Sequence, residues 1–164
     1  MTSDDRHVFD ACLKAPFGTL GIIADDAHLL GVHFLPANVP AKAPKTNTIA
    51  HLACVQLMAY LDNPRAKFDL PLKLSGTKHQ VDVWQGMRKI PAGQTLTYGQ
   101  LAAAIGSSAR AVGTACGLNP IPVIVPCHRI IAANGGLGGF MGGKLENPLA
   151  IKHWLLKHEG ALLL

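Results

Sequence analysis

The sequence predicts an α+β chain, a small antiparallel sheet with one helix followed by a larger helical region. The first third alternates apolar and polar residues as half-buried strands do, and residues 49–61 repeat apolar side chains at helical spacing. From about Leu74 the composition turns basic and the pattern turns helical, which divides the chain into an N-terminal domain over 1–73 and a C-terminal domain over 74–164. At 164 residues such a chain buries a core without disulfide or metal support.

Three segments, HVFDACLK, GTLGIIAD and HLLGVHFL, read as consecutive strands, with Asp25 and Asp26 turning the chain between the second and third. Pro36, Pro40 and Pro44 mark an irregular connection. Ile49, Leu52, Ala53, Leu57, Tyr60 and Leu61 then form one face of a helix that covers the sheet and stops at Asn63-Pro64.

In the second region Val81, Trp84, Met87 and Ile90 form an apolar stripe, with Trp84 as a core residue, ahead of a turn at residues 91–93. Thr97 and Gln100 have the spacing of a capping box, so a short helix starts there and ends at Gly106 after Ile105. Ser107 or Ser108 can cap the next helix, ARAVGTACG, and the pair makes a helix-turn-helix candidate. Ala109, Ala111, Val112, Gly113, Thr114 and Ala115 on that helix are small, which admits another helix or a nucleic-acid groove, and Arg110 is its one long cation.

The last helix has Asn147 as N-cap, Pro148 in its first turn and Gly160 beyond its end. Ile151, Leu155 and Glu159 share a face, so a carboxylate closes an apolar stripe and needs a partner such as histidine.

Charge and cysteine usage narrow the function. Residues 1–75 balance seven Lys/Arg against seven Asp/Glu, whereas residues 76–164 hold eight against three, so the whole net charge of +5 lies in the second half. That asymmetry suits a polyanionic partner, or a solvated basic face. Cys12, Cys54, Cys116 and Cys127 are far apart, with neither a CxxC pair nor zinc-ligand spacing, so no metal is expected. The N-terminus reads as no secretory signal and no apolar run is long enough to span a bilayer, which predicts a cytoplasmic protein with free thiols and no membrane partner.

Residues 126–129, PCHR, put a cysteine directly beside a histidine. An ordinary thiol is only a few per cent ionised near neutrality, and a nucleophilic one needs a base or cation such as His128 or Arg129. Neighbours in extended chain point to opposite faces, so the pair communicates across a turn or through a water, with Glu159 on the far side of the imidazole. For the bare tetrapeptide a structural buried cysteine is an equal reading. Six glycines follow between 135 and 143, around Phe140, and allow either a pocket for a planar ring or a mobile loop.

The run NPIPVIVPCHRIIAANGGLGGF resembles the active-site segment of the O6-alkylguanine-DNA alkyltransferase family. VWQGMRKIPAGQTLTYGQLAAAIG, ARAVGTACGLNP and IKHWLLKHEG follow that family's order, so residues 74–164 match strongly and the first 70 only in general pattern. The resemblance implies a ribonuclease-H-like N-terminal sheet and a C-terminal domain that flips a damaged nucleotide out of double-stranded DNA. Its alkyl group passes from O6 of guanine irreversibly to Cys127, once per molecule; O4 of thymine stays open as a second substrate.

The resemblance further implies that His128, through water, and Glu159 generate the thiolate, and that Asn119 acts as a hinge. Tyr98 would help rotate the phosphate and protonate the departing guanine. Arg110 would fill the base stack, while Ala109, Ala111 and Gly113 approach the minor groove and Thr77 joins the DNA contacts. Pro122, Ile130, Gly138, Phe140, Met141 and Gly142 would form the guanine pocket. No cofactor is implied, and the protein would act as a monomer on DNA carrying O6-alkylguanine.

Three departures stand out: Met141 where a small residue is common, His79 where an aromatic is common, and a long connection KLENP after Gly143. Two other classes remain readable, a cysteine hydrolase using Cys127, His128 and Glu159, and a DNA-binding regulator without catalysis.

Overall fold

The structure, a computed structural model, describes residues 8–143, 145 and 147–161. Lys144 and Glu146, in the expected KLENP connection, and the start of the first expected strand at His7 lie outside the described residues. Two compact units meet in sequence at Leu74 and Ser75.

The first unit is an antiparallel sheet in the order β1 (Ala11–Ala15), β2 (Gly18–Ala24) and β3 (Leu29–Leu35), with α1 (Ile49–Asp62) packed on it. β1 begins at Ala11, later than HVFDACLK predicts, although Asp10 still ties to β2, its N–H donating to Ile22 O at 2.8 Å and its carboxylate accepting from Ala24 N at 2.9 Å. Asp25 shapes the β2–β3 turn, its carboxylate accepting from Ala27 N and His28 N at 2.8 and 2.6 Å.

Thr48 caps α1 by accepting from His51 N, and the helix stops at Asn63 before Pro64. Its buried face is Ala50, Ala53, Cys54, Leu57 and Tyr60. Leu52, placed on that face by the sequence reading, is exposed, as are Val55 and Met58. The helix is apolar on both sides, so periodicity alone could not phase it.

The second unit is helical. α2 (Lys78–Arg88) opens with a full capping box between Thr77 and Gln80. It buries Val83, Trp84 and Met87, and the Trp84 indole donates to Ala115 O at 2.9 Å. α3 (Tyr98–Ile105) opens with the expected Thr97–Gln100 box and ends at Gly106, whose φ of 70° is the left-handed conformation glycine takes without strain. Ser108, not Ser107, caps α4 (Ala109–Gly117), and α3, turn and α4 form the helix-turn-helix. α5 (Pro148–His158) carries Asn147 at its N-cap without a side-chain bond.

Two short strands complete this unit. β4 (Leu96–Thr97) leads into α3, and β5 (Ile130–Ile131) follows the PCHR segment; they pair in parallel, Leu96 with Ile130 and Thr97 with Ile131. This pairing sets the cysteine segment beside the first turn of the helix-turn-helix. No helix among the described residues is long and apolar enough to cross a membrane.

Candidate active site

Cys127, His128 and Arg129 form a single 3-10 turn, so the extended geometry that would put Cys127 and His128 on opposite faces does not apply. The turn hangs from the end of α4 through Asn119. Its Nδ2 donates to Val125 O at 2.8 Å and its Oδ1 accepts from Ile121 N at 3.0 Å, both bonds buried. Between them Val123 holds a φ of 74°, a costly conformation for a β-branched residue that the surrounding bonds enforce.

Behind the cysteine His128 is fully buried, and its Nε2 lies 2.8 Å from Glu159 Oε2. Arg129 grips the same carboxylate with two bonds of 2.9 Å, from Nε and from the guanidinium amine, and also donates to Ile90 O. Burial alone would raise the Glu159 carboxyl; the His128 and Arg129 bonds and charges override it and hold the group well below the usual carboxylate range. Burial keeps the imidazole neutral, against the pull of Glu159. An ionised carboxylate only accepts, so Nε2 carries the proton and Nδ1 is the basic nitrogen. That Nδ1 is buried and has no hydrogen-bond partner.

Cys127 opens into a cleft of about 110 Å³ lined by Tyr98, Gly113, Cys116, Gly117, Gly139, Phe140, Met141 and Gly142. Burial pushes its thiol up to about 11, and the Asn119 amide and Lys152 charge pull the other way. Ionisation of this sulfur therefore depends on its neighbours. Tyr98 caps the cleft, its hydroxyl 3.4 Å from Gly139 O, and burial raises the phenol, which stays protonated near neutrality. Gly138 has a φ of 72°, and a Cβ there would stand 2.9 Å from the Tyr98 oxygen, so only glycine fits.

Of the expected pocket residues, Phe140, Met141 and Gly142 line the cleft with Cys127, whereas Pro122, Ile130 and Gly138 do not. Pro122 and Ile130 are buried behind the wall, and Gly138 shapes the loop from outside. On the outer face Arg110 is exposed and, with Thr77, His79, Ser108, Ala111 and Thr114, lines a shallow groove of about 400 Å³. Ala109 is exposed, and Gly113 packs on the Tyr98 ring. His79 bonds Ser107 through Nε2 at 2.7 Å.

Sequence reasoning missed two cations and one thiol. Arg129 was considered only as a neighbour of the cysteine, and its pairing with Glu159 spans thirty positions. Lys152 is fully buried and Cys116 forms part of the cleft wall. The signal for Lys152 was present: residues 152, 155, 156 and 159 repeat at helical spacing and are the buried face of α5, whereas Ile151 is only half-buried.

A family model described as "6-O-methylguanine DNA methyltransferase, DNA binding domain" matches residues 78–161. The methylated-DNA–protein-cysteine methyltransferase of Methanosarcina acetivorans is 38% identical over 160 residues, covering 94% of this chain and 99% of that protein. The chain belongs to the 6-O-methylguanine DNA methyltransferase family. The Salmonella typhimurium relative of the same name is 55% identical over 91 residues, 54% of this chain and 50% of its own length, so that match is confined to about half of each. Among solved structures, Mycobacterium tuberculosis OGT in complex with DNA superposes with a TM-score of 0.76 at 36% identity, covering 92% of this chain and 91% of that one.

Proposed function

We propose that the protein repairs double-stranded DNA by direct reversal, moving a methyl or other alkyl group from O6 of guanine to the sulfur of Cys127. The observation that carries this is the unpartnered Nδ1 of a fully buried His128 whose other nitrogen is held by Glu159, in the same 3-10 turn as a cysteine that floors a cleft. A base so oriented serves to take a thiol proton.

A stacked base cannot present O6 to a sulfur, so the damaged nucleotide leaves the helix, at a cost of about a few kcal/mol that is smallest for a weakened pair. The thin wall of α4, with Ala109, Ala111 and Gly113, lets DNA approach closely, Thr77 stands at the same groove as Arg110, and Arg110 takes the vacated place in the stack. Phe140, Met141 and Gly142 receive the guanine, and Pro122, Ile130 and Gly138 hold the shape of that wall. Asn119 couples the helix-turn-helix to the cysteine turn.

In the reaction the Cys127 proton passes to His128 Nδ1, through a bridging water, while the Glu159 carboxylate, held in place by Arg129, balances the imidazolium. The sulfur attacks the alkyl carbon; the S–C bond forms as the C–O6 bond breaks, and its electron pair goes to guanine. Tyr98 donates a proton to the leaving base, and the proton on His128 restores the phenol through solvent. A thioether has no return path, so each molecule acts once. Every group in this scheme belongs to one chain, in keeping with a monomer, and the four buried free cysteines suit a reducing cytoplasm.

The test is stoichiometric. Titrating the protein against excess duplex carrying O6-methylguanine should clear one lesion per molecule and then stop. Continued clearance would favour a hydrolase, and none would favour a non-catalytic DNA binder.

A further inference from the structure

The cleft over Cys127 measures about 110 Å³. Pockets that enclose a small organic ligand start at about 300 Å³, so a wall must move before a purine and its alkyl group can enter. Four of the lining residues are glycines, which have no side chain to withdraw. Cys116 and Phe140 are buried, and the Tyr98 hydroxyl is bonded to Gly139 O at 3.4 Å. The lining side chain that remains, besides the acceptor, is Met141, which is half-buried and unbranched, with three rotatable bonds.

Met141 also stands where a movement matters most. The Cys127 thiol donates to its thioether, with the two sulfurs 3.9 Å apart. A carbon under attack stands about 3–3.5 Å from its nucleophile, so the thioether and the alkyl group compete for the same space before the acceptor sulfur. The backbone of Met141 is held at a φ of 54°, beside Gly142 at 66°, a conformation that costs a residue with a Cβ and persists only where its surroundings impose it. α4 backs this turn closely, since a Cβ on Gly117 would stand 3.2 Å from the Gly142 backbone. With the turn so held, the opening falls to the Met141 side chain.

We infer that Met141 is the gate of the acceptor cleft and restricts the transferred group to small alkyls, methyl above all. The inference rests on the reading of Cys127 as the acceptor and names the substrate class of that site. A methyl group requires only that the thioether swing off the sulfur. A benzyl ring also needs the room into which the side chain swings, so ring and gate exclude each other.

The experiment measures second-order rate constants for alkylation of Cys127 by duplexes carrying O6-methylguanine or O6-benzylguanine, for the wild type, Met141→Ala and Met141→Leu. Ala and Leu both bear the cost of the positive φ, so the comparison between them isolates side-chain bulk. The wild type should favour methyl by roughly tenfold or more, although a benzylic carbon is intrinsically the more easily displaced. Met141→Ala should cut that preference by roughly tenfold, through a faster benzyl reaction, and Met141→Leu should keep it. An unchanged preference in Met141→Ala would overturn the inference, and so would an equal loss on both duplexes, which would leave Met141 as a support of the loop only. Should Met141→Ala not fold, the wild type decides alone: benzyl transfer as fast as methyl transfer would overturn the gate. No methyl on Cys127 of the wild type would instead sink the reading on which the inference rests.

Discussion

His128 Nε2 lies 2.8 Å from Glu159 Oε2, with both side chains shut off from solvent and Arg129 bonded to the same carboxylate. One acid thus fixes the tautomer of the imidazole and is itself fixed by a guanidinium, leaving Nδ1 as the basic atom, buried and without a hydrogen-bond partner.

Glu159→Gln keeps the shape of that contact and removes its charge. The imidazolium formed when His128 takes the thiol proton then lacks its counterion, and Arg129 is left with a neutral partner. Alkyl transfer should slow by about 10²-fold or more, the usual worth of a positioned base, while DNA affinity measured with undamaged duplex stays near the wild-type value.

Acid should loosen the second unit in two stages. His128 is buried neutral with its pKa lowered, so its contribution is present above its unfolded value near 6.5 and is lost as pH falls through the lower folded value. Glu159 is also lowered; its contribution is present above the unfolded value of about 4.3 and is lost further down. Urea midpoints should fall in both ranges on acidification, and Glu159→Gln should flatten the lower one.

Arg110→Ala should separate duplex chemistry from pocket chemistry. Arg110 is exposed on α4 and lies outside the cysteine cleft, so reaction with free O6-benzylguanine should be nearly unchanged. Repair of O6-methylguanine in duplex DNA should fall at least tenfold, a drop of about 1.4 kcal/mol in transition-state stabilisation. Equal losses on both substrates would remove Arg110 from the stack.

Asn119→Leu should unlock the cysteine turn. It leaves Ile121 N buried without a partner, a cost of about 1–3 kcal/mol, and takes one of its two donors from Val125 O, which keeps the Cys127 N–H. Thermal unfolding should drop by several degrees and the alkylation rate should fall with it. Gly138→Ala tests the wall in the same way, since a methyl at a φ of 72° would press on the Tyr98 hydroxyl.

What was legible in the sequence followed local physics. Caps and breakers placed the end of α1 and the bounds of α3 and the start of α4 because Pro64, Thr97, Gly106 and Ser108 act within a few residues of their own position. Glu159 could be expected to meet a histidine because a carboxylate ending an apolar stripe must be paired. Illegible were relationships that only the fold creates: the grip of Arg129 on Glu159, the parallel pairing of Leu96 with Ile130, and the positive φ of Val123. Leu52 was misplaced because α1 offers two apolar faces, and the buried face of α5 was set one residue off because a lysine, Lys152, lies on it. The sequence also suggested a sulfur held ionised, whereas its burial opposes ionisation and places the burden on His128, Glu159 and Lys152.

The most direct measurement is peptide mapping of the protein after reaction with a duplex carrying isotopically labelled O6-methylguanine. The label should reside on the sulfur of Cys127, one methyl per chain, with Cys12, Cys54 and Cys116 unmodified. Label on another residue, or lesion loss with an unlabelled protein, would contradict the assignment of Cys127 as the acceptor.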